Sequence, residues 1–333
     1  MTELREKLNT ILEEKNIKII PENLKVGVEA FGVTGNFTSD ATATAGDIAK
    51  DKTAYVNGEK VTGTMEATSG GELEASFASC VDNSLGANCT KLPQGLTSIG
   101  AYAFYNHTNL ALKELPDSIT LIERSAFQSC TQLALTKLPL NLTTIKDYAF
   151  NSCGRLAITE IPDSVTTIGS YAFEDCGNLP LTKISDNLTT IGSYAFRDCV
   201  NLALTNLPSS LTSINTYAFY NCKKLAITEI PDGITTISAQ AFRDCIGLTE
   251  ITCKGDLKTI SGYVFNSCSK LAKFVLPNVT SVTTLSNTNA FTNTPIASGT
   301  GYIYVPDSLV DSFKSASNWS VYADQIKGVS ELV

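Results

Sequence analysis

Histidine, methionine and tryptophan are almost missing from this 333-residue chain, with one, two and one copies. A single His leaves little material for His-based acid–base chemistry or a His-rich metal site. Charge is scarce as well, at 17% Asp, Glu, Lys and Arg against about 25% in an average soluble protein. Acids outnumber bases 33 to 25 for a net charge of −8. That balance excludes nucleic acid or an anionic membrane surface as the main partner, since both need clustered Lys and Arg. No apolar run approaches the roughly 18 residues needed to cross a bilayer, so no membrane insertion is expected. Residues 1–20 alternate charge with hydrophobe and lack the continuous apolar core of a secretory signal. The sequence has no phosphate-binding glycine loop, no H-E-x-x-H and no C-x₂-C pair. No enzyme activity, metal or cofactor is therefore expected.

What the chain does have is a period. Phe104, Phe127, Phe150, Phe173, Phe196, Phe219, Phe242 and Phe265 are each 23 residues apart. All but Phe265 follow Ala, and each has an Ile five residues before it, from Ile99 to Ile260. Three residues on stand Cys130, Cys153, Cys176, Cys199, Cys222, Cys245 and Cys268, with His107 in the first slot. A Leu column runs in phase from Leu110 to Leu271. Chance does not hold several columns in phase over eight periods, and a unit this small buries its apolar face only by stacking on its neighbours. The chain is a solenoid. In the unit 156–176 the sequence predicts a short strand before Pro162, a second over Val165–Ile168 and one helical turn over residues 170–176.

These residues resemble the BspA-type leucine-rich repeats, whose 23-residue unit reads roughly L-x-x-I-x-I-P-x-S-V-x-x-I-G-x-x-A-F-x-x-C. The resemblance covers about residues 75–295. It implies an α/β repeat fold: a leucine-rich-repeat solenoid of short strands and single helical turns. It also implies an extracellular or cell-surface bacterial protein that binds host or matrix proteins. Ser185 and Lys254 replace the expected Pro. In most units the apolar residue falls two places after the first Leu (Leu112, Leu135, Ile158, Leu181, Leu204, Ile227), and only Ile251 and Phe274 follow the common spacing of three. The first strand is therefore either bulged or starts early.

Read for chemistry, the Cys column shares its period with Phe and Leu and so is expected to be an inert core ladder, since a free Cys behaves as a small buried hydrophobe. Cys80 and Cys89, in the irregular first unit, are open either to pairing or to staying free. A second column, two residues before the Pro position, runs Lys91, Glu114, Lys137, Glu160, Lys183, Asn206, Glu229. Its charges alternate in sign, which suits an outward stripe that sets strand register, and equally a patterned binding surface for a partner. Lys91, Glu114, Lys137, Glu160, Lys183 and Glu229 are the candidate binding residues. Thr97 to Thr235 form a comparable ladder on the second strand, able to bond across strands or to meet an ordered ligand such as ice or a glycan. Tyr102, Tyr148, Tyr171, Tyr194, Tyr217 and Tyr263 make an aromatic stripe, suited to ring-on-ring packing or to an interface. Asp163, Asp186 and Asp232 are turn residues that satisfy local backbone N–H groups.

The ends differ from the array. Residues 1–66 are expected to form a helix (Leu4, Leu8, Ile11 and Leu12 on one face) and a small α+β module. Asn57-Gly58 between β-branched residues signals a two-residue hairpin. The segments around G-V-T-G-N and A-Y-V-N-G with K-V-T-G-T resemble tail-associated modules of phages and prophages. That resemblance implies a virion-associated structural component, assembled as a homo-oligomer through this region. Residues 66–74 read as a linker, and residues 67–298 as the solenoid. Residues 299–333 form a helical C-terminal cap: a strand over Tyr302–Val305, a helix capped by Asp307 and bearing Leu309, Val310 and Phe313, then a second helix with Trp319, Tyr322 and Ile326. The expected function is a non-enzymatic recognition scaffold for a protein or glycan partner.

Overall fold

The chain is described by a computed structural model covering residues 25–30, 33–36, 53–56, 59–62, 91–92 and 95–332. The first four of these segments are the strands β1 (Lys25–Ala30), β2 (Val33–Asn36), β3 (Thr53–Val56) and β4 (Glu59–Thr62). They pair as two antiparallel hairpins, with Ala30 opposite Val33 and Val56 opposite Glu59. Each register leaves two residues between the strands, Phe31-Gly32 in one and Asn57-Gly58 in the other. The predicted helix over residues 2–15, the linker 66–74 and Cys80 with Cys89 lie outside the described residues.

From residue 95 on, the fold is a solenoid with two parallel sheets. The first is a wall of two-residue strands: β5 (Ser98–Ile99), β6 (Leu121–Ile122), β7 (Thr144–Ile145), β8 (Thr167–Ile168) and β9 (Thr190–Ile191). It resumes through a bridge between Ile214 and Ile237 into β11 (Thr236–Ile237), β13 (Thr259–Ile260) and β15 (Thr284–Leu285). The register pairs Ile99 with Ile122, Ile145, Ile168 and Ile191 in turn, which buries every Ile. The second sheet holds β10 (Glu229–Ile230), β12 (Glu250–Cys253), β14 (Lys273–Val275), β16 (Tyr302–Val305) and β17 (Ile326–Gly328).

Residue spacing explains why this second sheet is regular only in the C-terminal half. In coils such as 156–162, the buried residues after the first Leu are Ile158 and Ile161, three apart. Strand side chains alternate faces, so two inward residues of opposite parity cannot sit on one straight strand. The chain bends between them, and only an isolated bridge, Glu160 to Lys183, survives. From Leu248 the inward residues are Ile251 and Cys253, two apart, and a four-residue strand forms with alternating burial. The strand is irregular where spacing two is used and regular where spacing three returns.

The predicted helical turn is corrected by the structure. Residues 170–176 carry Tyr171 at φ +60° and Asp175 at φ +58°, both left-handed, and every coil from Phe104 to Phe265 repeats the pair two residues either side of its Phe. The result is a chain of tight turns. N–H groups at and two residues either side of Phe donate to the next coil (Tyr171 to Ser193 O, Phe173 to Ala195 O, Asp175 to Arg197 O). Intervening N–H groups close turns within the coil, as Glu174 does to Tyr171 O. A helix would turn all its N–H groups inward on itself. This arrangement shares them with the neighbour and ties coil to coil.

The core is a set of ladders. Phe104 to Phe265 stack ring on ring at 5.2–5.6 Å, nearly parallel. Each Cys of the column is buried, and its Sγ–H donates to the carbonyl of the Phe one coil back, for example Cys176 to Phe150 O at 3.0 Å. A small apolar side chain with one weak donor fits that position. Burial raises these thiols' pKa, to about 12 for Cys130 and well above the ordinary thiol value for Cys153, Cys199, Cys222 and Cys245. His107 heads the ladder, buried, with Nδ1 at 3.1 Å from Tyr105 O and its ring edge-on to Phe104.

The end of the array is closed by residues 302–332. Ile260 pairs with Leu285, 25 residues on rather than 23, so the period breaks there. Trp319 is buried and donates its Nε1–H to Thr283 O at 2.6 Å, while Tyr322 OH donates to Thr288 O. Two features differ from expectation. Asp307 does not cap the helix Val310–Ser315, whose N-terminus has no side-chain cap; its carboxylate instead accepts from Ser330 Oγ at 2.7 Å. Ile326 lies in β17, parallel to β16, rather than in a second helix. A 3-10 turn over Ser320–Gln325 stands in that helix's place.

Candidate binding face

Outward positions next to the Pro turns carry the charge column. Lys91, Glu114, Lys137, Glu160, Lys183, Asn206 and Glu229 are all exposed, each one residue before a buried apolar residue. Repeat periodicity places them, since the same rung recurs once per coil in parallel register. Pairing along the column is sparse. Lys91 reaches Glu114 at 3.8 Å, Lys183 turns aside to Asp163 at 3.3 Å, and Glu229 pairs with Lys254 at 2.8 Å. Lys137 and Glu160 have no ion-pair partner within 4.0 Å among the described residues. Exposed pairs of this kind contribute about 0–1 kcal/mol each. A shallow notch of about 120 Å³ opens beside the N-terminal rungs, lined by Lys91, Glu114, Asp117 and Lys137 among others.

The turn residues act between coils. Asp163 accepts from Lys183 Nζ and from Asp186 N, both in the following coil, rather than from its own turn. Ser185, in a Pro slot, is buried and donates to Asp163 O at 3.2 Å. Lys254, in the other, serves Glu229. Thr hydroxyls of the second ladder donate to the carbonyl of the Thr one coil back, from Thr120 to Thr97 O at 3.2 Å through Thr212 to Thr189 O at 3.3 Å. The ladder is exposed but its protons are engaged, so it is first of all a register device.

Four of the six tyrosines stack. Tyr148, Tyr171, Tyr194 and Tyr217 are parallel at 4.5–4.6 Å. Tyr102 meets Tyr105 edge-on instead, and Tyr263 accepts from Asn289 Nδ2 at 3.0 Å. Ser125 and Gln240 interrupt the column at these two ends, and Gln240 Nε2 donates to Tyr217 OH. Beside the stack runs a network that the sequence reading missed. Arg197 lies over Tyr194 and Tyr220, and Arg243 over Tyr220 and Tyr263. Glu174 takes hydrogen bonds from Arg197 and from Asn151 at 3.0 and 2.8 Å. Partial burial nonetheless raises the Glu174 pKa, and burial with Asp198 one coil on raises that of Asp175. The readable signal was the column one residue after Phe, Tyr105, Gln128, Asn151, Glu174, Arg197, Tyr220, Arg243, Asn266. The next column, Asn106, Ser129, Ser152, Asp175, Asp198, Asn221, Asp244, Ser267, is left-handed throughout, and its Asn and Asp members are residue types that tolerate left-handed φ.

Among the described residues there is no group of three His, Cys, Asp or Glu side chains placed to hold a metal ion. No helix among them is long and apolar enough to cross a membrane.

The repeat described as "BspA type Leucine rich repeat region" matches residues 75–180 and 168–298 in six copies. This chain belongs to that family. Among solved structures, it is similar to a leucine-rich-repeat protein of T. pallidum (TpLRR), at 32% identity over 47% of this chain and 72% of that one, TM-score 0.41. It is also similar to a leucine-rich-repeat protein from Eubacterium ventriosum, at 23% identity over 62% of this chain and 64% of that one, TM-score 0.40. A third is a leucine rich cell surface protein from Faecalibacterium prausnitzii, at 21% identity over 71% of this chain and 82% of that one, TM-score 0.29. No curated protein matches the chain.

Proposed function

We propose that this chain is a non-enzymatic recognition scaffold of the bacterial cell surface or its surroundings, binding a protein or glycan partner through its repeat surface. The observation that carries this reading is the exposed column Lys91, Glu114, Lys137, Glu160, Lys183 and Glu229, held in fixed register by a rigid ladder core. Its parts suit recognition: charges at regular intervals confer specificity and association rate more than raw affinity. The test is binding of the full chain to immobilised matrix proteins and glycans. Replacing Glu114, Lys137, Glu160 and Lys183 by Ser is expected to leave circular dichroism and Tm unchanged and to weaken capture at least about tenfold, which is 1.4 kcal/mol. Unchanged capture moves the site to another face.

A second reading, a structural component of a phage or prophage tail, draws on the paired hairpins β1–β2 and β3–β4. It requires the N-terminal region to assemble, and a full-length chain that remains a monomer at all concentrations counts against it.

A further inference from the structure

The alternation of the charge column is not used up inside the chain. Neighbouring rungs lie about 4.8 Å apart, yet of the four steps from Lys91 to Lys183 only Lys91–Glu114 is an ion pair. Lys183 prefers Asp163, and Lys137 and Glu160 stand unpaired among the described residues. The surface around them is low. Ala111, Ala134 and Ala157 lie three residues before Glu114, Lys137 and Glu160, and Thr136, Thr159 and Thr182 directly before Lys137, Glu160 and Lys183, so these charged side chains stand among short neighbours.

A ladder of strictly alternating sign has a symmetry that other patterns lack. Turned end for end against itself about an axis midway between two rungs, every charge meets its opposite. Turned about an axis on a rung, every charge meets its like. We propose that this face docks a second copy of the chain, antiparallel, on a two-fold axis running along the strand direction between the coils of Lys137 and Glu160. Lys137 then faces the partner's Glu160, Glu160 the partner's Lys137, Glu114 the partner's Lys183, and Lys183 the partner's Glu114. Because both copies share one coil spacing, the match holds over all four rungs, as an isologous two-fold contact requires. A slip of one coil on either copy sets like charges together, so the pattern discriminates against odd slips as well as favouring contact. An axis between Glu114 and Lys137 would also match four rungs; the proposed axis is the one centred on the two charges without an ion-pair partner among the described residues, Lys137 and Glu160. Lys183 exchanges Asp163 for a carboxylate of the second copy. This inference rests on the reading of the column as a binding surface and names the protein that occupies it.

The test is sedimentation equilibrium of the full chain at low salt and at about 1 M salt, where screening acts within ~3 Å. A dimer is expected at low salt, weakened at least about tenfold at high salt. The all-positive variant Glu114→Lys/Glu160→Lys and the all-negative variant Lys137→Glu/Lys183→Glu should each run as monomers with unchanged circular dichroism. Mixed in equal amounts, they should form a one-to-one complex. A monomeric parent chain, or charge variants that associate as well as the parent, overturns the proposal. Persistent association in both variants would place the contact at another surface, such as the N-terminal hairpins, and also overturns it. A monomeric parent that still loses matrix or glycan capture on Ser substitution would sink the dimer while leaving the recognition reading standing.

Discussion

Ser152 sits at φ +59°, two residues past Phe150, and its N–H reaches Glu174 O in the next coil at 2.7 Å. Left-handed backbone costs an L-residue roughly 1–2 kcal/mol, and the inter-coil bond offsets it. Substituting Ser152→Gly removes the steric cost and is expected to be neutral or slightly stabilising, whereas Ser152→Val should destabilise by about 1–3 kcal/mol, the usual cost of holding an unsuitable residue in a sparsely populated φ/ψ region. Urea midpoints of the two variants check both signs. The same geometry holds two residues before Phe, but there the residue is Tyr in most coils, which has no intrinsic taste for left-handed φ. Ring stacking at 4.5–4.6 Å holds it. Neither left-handed column was read from the sequence, which pointed to a helical turn; Asn and Asp in the column after Phe were the hint, and Tyr in the column before it gave none.

At the scale of elements, two apolar residues decide what forms between the first Leu and the Pro. Spacing of three between inward residues bends the chain around Ile158 and Ile161, and spacing of two straightens it into β12 around Ile251 and Cys253. The irregularity was visible in the sequence as a displaced apolar position, but not whether it meant a bulge or an early start, because parity acts only once both residues are known to point inward. The C-terminal cap makes a related point. Trp319 fills the space beside Phe291 and Phe313 and donates to Thr283 O. Trp319→Ala should cost roughly 3–5 kcal/mol. In a solenoid, where each unit rests mainly on its neighbours, that loss falls first on the end. Limited proteolysis is expected to cut within residues 302–332 before the inner coils are touched, and simultaneous cleavage throughout would contradict this.

At the scale of the whole molecule, repetition multiplies a small effect. Burial raises the pKa of each column thiol, so the folded chain keeps protons that an unfolded thiol releases near its ordinary value of 9.0. Above that pH the unfolded state binds fewer protons than the folded one, and stability falls as pH rises. The contribution is intact below about pH 9 and is lost progressively as pH rises above it, up to about 12 for Cys130. All seven column thiols lose stability in the same direction. The expected outcome is a Tm nearly flat from pH 6 to 8 and falling steeply above about 9, with the slope reduced stepwise as Cys153, Cys199 and Cys245 are changed to Ala. A thiol reagent applied to the native protein should leave the column unlabelled until denaturant is added.

The period, the ladder positions of Phe, Ile, Leu and Cys, and the outward charges were all settled by the sequence alone, because a repeat that buries itself only against its neighbours must place the same residue type at the same place in every coil. Tertiary structure alone decided what those columns do to one another. Whether a charge meets its neighbour in the column or a turn carboxylate, whether a Thr proton is free or given to a carbonyl, and whether a loop winds as a helix or as alternating turns depend on the distance between coils. No single coil contains that distance.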